Sequence, residues 1–110
     1  MLRYTLTICA VLILTLLCSG TMFAAGDAEK GKELFMKKCK MCHAENGAGT
    51  PAMLKKYGDK LKPLASKEIQ SQSDAALKKE MAEAASHKAI AKSLTPADLD
   101  NLLAFIRTLK

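Results

Sequence analysis

The sequence is poor in the residues that fill large cores and that serve most catalytic sites. It has no tryptophan, only 5% aromatic residues and two histidines among 110 residues. Neither histidine has an obvious acid–base partner nearby, so we expect a protein that is not an enzyme. No segment alternates polar and apolar residues over a useful length, and no repeat occurs, so β-sheets and βαβ units are not predicted. A small, single, all-α domain is the expectation, with a limited core.

Positive charge dominates the sequence, but the features that accompany nucleic-acid binding are lacking. Lysine and arginine total 17 against 11 aspartate and glutamate, giving a net charge of +6. The basic residues are mixed with acidic ones and almost no aromatic residues lie between them, which argues against a nucleic-acid partner. A positive excess of this kind steers a protein toward an acidic partner. An ordinary solvated surface is the simpler interpretation.

The first 26 residues have the three-part layout of an export signal. A short positive start is followed by an apolar run at residues 5–17 and then by small residues at 24–26. The run is shorter than the roughly 20 residues of a membrane-spanning helix. This favours a cleaved signal peptide, residues 1–26, over a retained anchor. We expect a domain of residues 27–110, located in the periplasm and not bound to the membrane after cleavage.

Two cysteines remain in that domain, and their spacing carries the chemistry. Cys39 and Cys42 are followed at once by His43. Residues three apart share one face of a helical turn, so both sulfurs can reach one cofactor edge while the histidine binds the metal beneath it. The pattern Cys-x-x-Cys-His is the attachment signature of c-type haem. A redox disulfide is less favoured without a βαβ pattern, and a zinc site that adds His87 lacks the usual His-x₃₋₅-His pairing.

Helical signals frame this motif. Residues 27–38 place acids early and lysines late, which suits the helix dipole, and Gly31 predicts close approach of another helix. Ser73 is a suitable N-cap for a helix from 74 to about 85. Glycines and a proline at residues 44–51 predict a loop.

The last helix has the clearest signature. Thr95 is a cap, Pro96 follows it, and Asp98 completes a capping box. Apolar residues then recur at helical spacing. They are Leu99, Leu102, Leu103, Ile106 and Leu109.

Together these features resemble the small single-haem class I cytochromes c, over essentially all of residues 27–110. Gly31 and Phe35 match the family's N-terminal helix, and Phe105-Ile106 match its C-terminal helix. The resemblance implies short helices wrapped around one covalently bound haem c. It implies thioethers from Cys39 and Cys42.

The resemblance also assigns the surroundings of the iron. The resemblance implies that His43 is the proximal ligand. It also implies that Pro51 occupies the position of a family proline whose carbonyl orients that histidine. The residues expected to wall the ring are Phe35, Leu99, Leu103 and Ile106.

The sequence departs from the family at the sixth iron position. The family usually supplies a methionine, often in a Met-Pro pair shortly before the last helix, and no Met-Pro pair occurs here. The equivalent position holds His87. We therefore predict His87 as the distal ligand, with Met81 and then Met53 as alternatives. A solvated surface histidine is the simplest contrary interpretation.

The expected function is a periplasmic one-electron carrier with bis-histidine ligation. A second imidazole favours ferric iron more than methionine sulfur does, so a low potential is predicted. A His/Met high-potential carrier and an electron-transfer subunit of a periplasmic enzyme are the alternatives. We expect a monomer that docks redox proteins, some with an acidic face. The lysines near the motif are Lys37, Lys38, Lys40, Lys55, Lys56 and Lys88.

Overall fold

The computed structural model describes residues 26–110, in which seven α-helices follow one another. They are α1 Ala28–Lys38, α2 Lys40–His43, α3 Pro51–Tyr57, α4 Lys67–Gln70, α5 Asp74–Glu83, α6 Lys88–Ala91 and α7 Pro96–Ile106. Single turns of 3₁₀ helix occur at Gly58–Lys60 and Ala85–His87. No strand occurs within the described part of the chain, and the predicted all-α class is confirmed. The predicted signal peptide lies outside the described residues except for Gly26.

The helices begin where local side chains can cap them. The Asp27 carboxylate accepts hydrogen bonds from the N–H groups of Glu29 and Lys30 at 3.0 and 3.2 Å. At α7 the predicted capping box is present: the Thr95 hydroxyl accepts from Asp98 N–H, and the Asp98 carboxylate accepts from Thr95 N–H. These caps satisfy backbone donors that would otherwise lack partners.

Helices α1 and α7 cross in direct contact, and the core lies at that crossing. Phe35 and Leu102 are each 1% exposed, and the rings of Phe35 and Phe105 lie 5.1 Å apart at 54°. Gly31 makes the approach possible, because a Cβ there would overlap the Asn101 carbonyl and lie 3.0 Å from the Cβ of Phe105. The close approach predicted from Gly31 is therefore confirmed.

A set of hydrogen bonds ties the end of α7 to the middle of the chain. The Arg107 guanidinium donates to the carbonyls of Gln70 and Gln72 at 2.8 and 2.7 Å, and to the Asp74 carboxylate at 2.8 Å. The Gln70 amide donates in return to the carbonyls of Leu64 and Ile106 at 2.8 and 3.0 Å. The connector between α3 and α5 is thereby fixed against α7.

Helix α5 ends at Glu83, two residues earlier than expected. Ala84 leaves the helical region, with φ −56° and ψ 137°, and the chain turns into the 3₁₀ turn that carries His87. No helix within residues 26–110 has both the length and the apolar character to cross a bilayer.

Candidate functional site

The two cysteines and the histidine of the motif lie on one helical turn that follows α1. Cys39 is the C-cap of α1, and the N–H groups of Cys42 and His43 both donate to its carbonyl, at 3.2 and 2.9 Å. Neither cysteine is in a disulfide, and both are partly buried. The predicted turn, which puts the two sulfurs on one face, is present.

The loop that follows folds back onto this turn. Gly49 N–H donates to the His43 carbonyl at 2.7 Å, and Thr50 N–H donates to the Cys42 carbonyl at 3.0 Å. Ala44 makes the reversal, with φ 62° and ψ 169°, a region of backbone space that is essentially reserved for glycine. The loop therefore caps the attachment turn at the expense of local strain in Ala44.

His43 lies in a partly buried position beside the core. Its ring centre is 6.3 Å from that of Phe35. Burial lowers the pKa of His43, and the nearby His87 lowers it further. A lowered pKa keeps the imidazole neutral, which is the form that binds metals.

The Nδ1 atom of His43 is buried and has no hydrogen-bond partner. The hydrogen bond to the Pro51 carbonyl that the resemblance implies is thus not formed in the structure, where Pro51 instead begins α3. The role of Pro51 stays a prediction.

The structure brings His87 to His43 across 44 positions of sequence, with ring centres 6.1 Å apart and ring planes at 42°. An imidazole nitrogen lies about 2 Å from a bound metal, and the ring centre lies roughly 1 Å beyond it, so two imidazoles on one metal have centres about 6 Å apart. At this separation of their ring centres, His43 and His87 would be able to hold one iron between them. The residues present fit a haem in this respect.

The alternative sixth ligands are placed differently. Met81 packs against the cluster of Phe35, Leu102 and Phe105, which gives its side chain a structural role. Met53 is partly buried in α3. Both stay alternatives to His87.

Apolar side chains are available to surround a cofactor. Phe35, Leu103 and Ile106 are buried, and Leu99 is half-buried. Their assignment as haem walls stays a prediction.

Redox thiol and zinc chemistry are less well supported by the environment of the cysteines. Cys39 packs against the core, and this burial raises its pKa to about 11, although Lys38 opposes the shift and Cys42 adds to it. Reactive redox cysteines have lowered pKa values. Within residues 26–110, no three His, Cys, Asp or Glu side chains are grouped as a metal site would require.

Two of the six lysines near the motif have polar side-chain partners in the structure. Lys40 lies 3.4 Å from the Glu45 carboxylate, and Lys38 donates to the Ser93 hydroxyl at 2.7 Å. The other four are exposed. Met41, between the two cysteines, is 83% exposed.

Sequence reasoning missed the backbone contact of His87. The His87 Nδ1–H donates to the Glu80 carbonyl oxygen at 3.0 Å. No side-chain pattern could have indicated it, because every residue has such a carbonyl.

Comparison with known protein families agrees with the motif and the fold. The family model for cytochrome c matches residues 28–110, a range that contains all seven helices. Neither the curated proteins nor the solved structures gave a match. The family brings with it one covalently bound haem c and a role in carrying electrons. The chain belongs to the cytochrome c family, as a small class I member.

Proposed function

We propose that this protein is an exported, low-potential, one-electron carrier whose iron is bound axially by His43 and His87. The observation that carries the proposal is the 6.1 Å separation of the two imidazole centres. Bound haem supplies the one-electron redox chemistry. Cys39 and Cys42 hold it through thioethers, and the protein does no chemistry on a substrate.

The surroundings of the two histidines support this ligation. The pKa of His43 is lowered by burial, so its ring is neutral and free to bind a metal. His87 uses Nδ1 as a donor to the Glu80 carbonyl, which leaves the other ring nitrogen, Nε2, with its lone pair. The competing Met81 side chain is partly buried and packs against the core cluster.

The same ligation supports a low potential. Methionine sulfur raises the potential of a c-type centre relative to a second imidazole, which favours the ferric state. The Glu80 carbonyl restrains the ring of His87 through its hydrogen bond to Nδ1–H, which would limit the movement of this ligand between the two oxidation states.

The proposed location and partners rest on the sequence. Residues 1–26 have the layout of a cleaved signal peptide, which supports a periplasmic location for the domain of residues 27–110. The exposed side chains of Lys37, Lys55, Lys56 and Lys88 suit docking to a redox protein with an acidic face. The carrier acts as a monomer.

The test is spectroscopic and uses full-length protein matured in the periplasm. The oxidised protein is expected to be low-spin without a sulfur-to-iron charge-transfer band in the near infrared. His87→Met is expected to create that band and to raise the reduction potential, by part of the roughly 0.8 V range that axial ligands span.

Met81→Leu serves as the matched control, because it removes the competing sulfur from the core at nearly constant volume. It is expected to leave the spectrum unchanged. A charge-transfer band in the parent protein that disappears in Met81→Leu would assign the sixth position to methionine. No change in spectrum or potential in His87→Met would remove His87 from the iron.

A further inference from the structure

The two histidines differ at the nitrogen that faces away from a bound metal. Nδ1 of His43 is buried without any acceptor. Nδ1 of His87 lies 3.0 Å from the Glu80 carbonyl oxygen. A carbonyl can only accept, so the hydrogen bond fixes the proton of neutral His87 on Nδ1. The structure thus shows an outer hydrogen bond on the side of His87.

The acceptor is a carbonyl in the last turn of α5. Glu80 O also accepts from Ala84 N–H at 3.1 Å, and a carbonyl has two lone pairs for two donors. Carbonyls at the end of a helix carry the negative pole of its dipole. His87 thus donates to an acceptor that is more negative than an isolated peptide group.

The backbone between the two residues brings His87 to this acceptor. Ala84 leaves the helix with ψ 137°, and the His87 N–H then donates to the Ala84 carbonyl at 2.8 Å. This reversal returns the His87 ring to the last turn of α5. The contact depends on the early end of α5 at Glu83.

We infer that the Glu80 carbonyl is the positioning group of the distal ligand, setting both the tautomer and the donor strength of His87. The inference rests on the proposed function. A hydrogen bond from Nδ1–H makes the opposite nitrogen, Nε2, a stronger electron-pair donor to a metal. A stronger electron-pair donor favours ferric iron. The Glu80 carbonyl thereby lowers the potential from the distal side.

The first measurement is nuclear magnetic resonance of the reduced, diamagnetic holoprotein labelled with ¹⁵N and ¹³C. The His87 Nδ1–H is expected to show scalar coupling through the hydrogen bond to the Glu80 carbonyl carbon. Absence of that coupling, with fast exchange of the His87 ring proton, would overturn the inference.

The second measurement removes the hydrogen-bond donor of His87, Nδ1–H, and keeps the nitrogen that would bind the iron. His87→Nδ1-methylhistidine retains Nε2 but carries no Nδ1–H. Loss of an outer hydrogen bond typically lowers metal affinity by about 10–100-fold, so added imidazole is expected to displace the side chain at about 10–100-fold lower concentration. A tenfold loss confined to the ferric state corresponds to a potential about 59 mV higher.

Glu80→Gln is the control, because it alters the side chain and keeps the carbonyl. It is expected to leave the coupling and the imidazole displacement unchanged, and a change as large as that of the methylated variant would overturn the inference. If His87→Met shifts the potential but the methylated variant does not, the inference fails and the proposed function stands. If neither has an effect, the proposed function fails.

Discussion

Replacing Gly31 by alanine tests whether the contact between α1 and α7 holds the domain together. The new Cβ would overlap the Asn101 carbonyl and lie 3.0 Å from the Cβ of Phe105. The overlapped atom belongs to the backbone of α7 and cannot rotate away. The two helices would have to separate, and the packing of Phe35 against Phe105 would loosen with them.

Two opposing terms set the magnitude. Alanine improves helix propensity by about 1 kcal/mol over glycine. Overpacking a tight contact costs about 1–3 kcal/mol and occasionally more. Because the clash is with backbone, we take the upper end and expect a net loss of about 2 kcal/mol. For a domain of this size the melting temperature is then expected to fall by about 10 °C.

The assay is guanidinium unfolding of the holoprotein, followed by circular dichroism and haem absorption. Lys32→Ala is the matched control, since Lys32 is exposed in the same helix and the change is expected to stay within about 0.5 kcal/mol. A Gly31→Ala protein as stable as the parent, or more stable, would refute the reasoning. It would mean that the helices can separate freely.

Two further substitutions probe strain and hydrogen bonding. Ala44 holds a conformation reserved for glycine, which costs about 1–3 kcal/mol of stability. Replacing Ala44 by glycine removes this strain, but the greater backbone entropy of glycine in the unfolded chain offsets part of the gain. Ala44→Gly is therefore expected to stabilise the holoprotein by about 1 kcal/mol in guanidinium unfolding. A lower midpoint would contradict the strain. Arg107→Lys cannot replace three directed hydrogen bonds, and a loss of about 1–3 kcal/mol is expected. Lys92→Ala, at an exposed position, is the control, and equal stability of Arg107→Lys and Lys92→Ala would show that the guanidinium contributes nothing.

The parts of the fold that sequence predicts well are those that neighbouring residues determine. The caps at Asp27 and Thr95 and the attachment turn each depend on residues within a few positions. Gly31 was also informative, because a glycine inside a helix lowers helix propensity and so indicates a packing requirement. For such features the pattern and the structure agree closely.

Long-range contacts to backbone carbonyls could not be predicted from the sequence. The Arg107 guanidinium donates to the carbonyls of Gln70 and Gln72, more than thirty positions away, and no composition or spacing identifies a particular carbonyl. The backbone conformation of Ala44 could not be predicted either, because alanine ordinarily favours helix. Its conformation follows from the return of Gly49 and Thr50 to the attachment turn. The position of His87 could be predicted only from the family resemblance, and its acceptor could not be predicted at all.

The docking of the first described residues on α7 has a consequence for the biogenesis of the protein. A Cβ at Gly26 would overlap the Asp100 carbonyl, and the Asp27 N–H donates to the Asn101 side chain at 2.8 Å. If the leader is removed before Asp27 as predicted, the backbone nitrogen of Asp27 becomes the α-amino group of the mature chain. That group still carries hydrogen-bond donors, so the new terminus would keep its contact with Asn101 on α7.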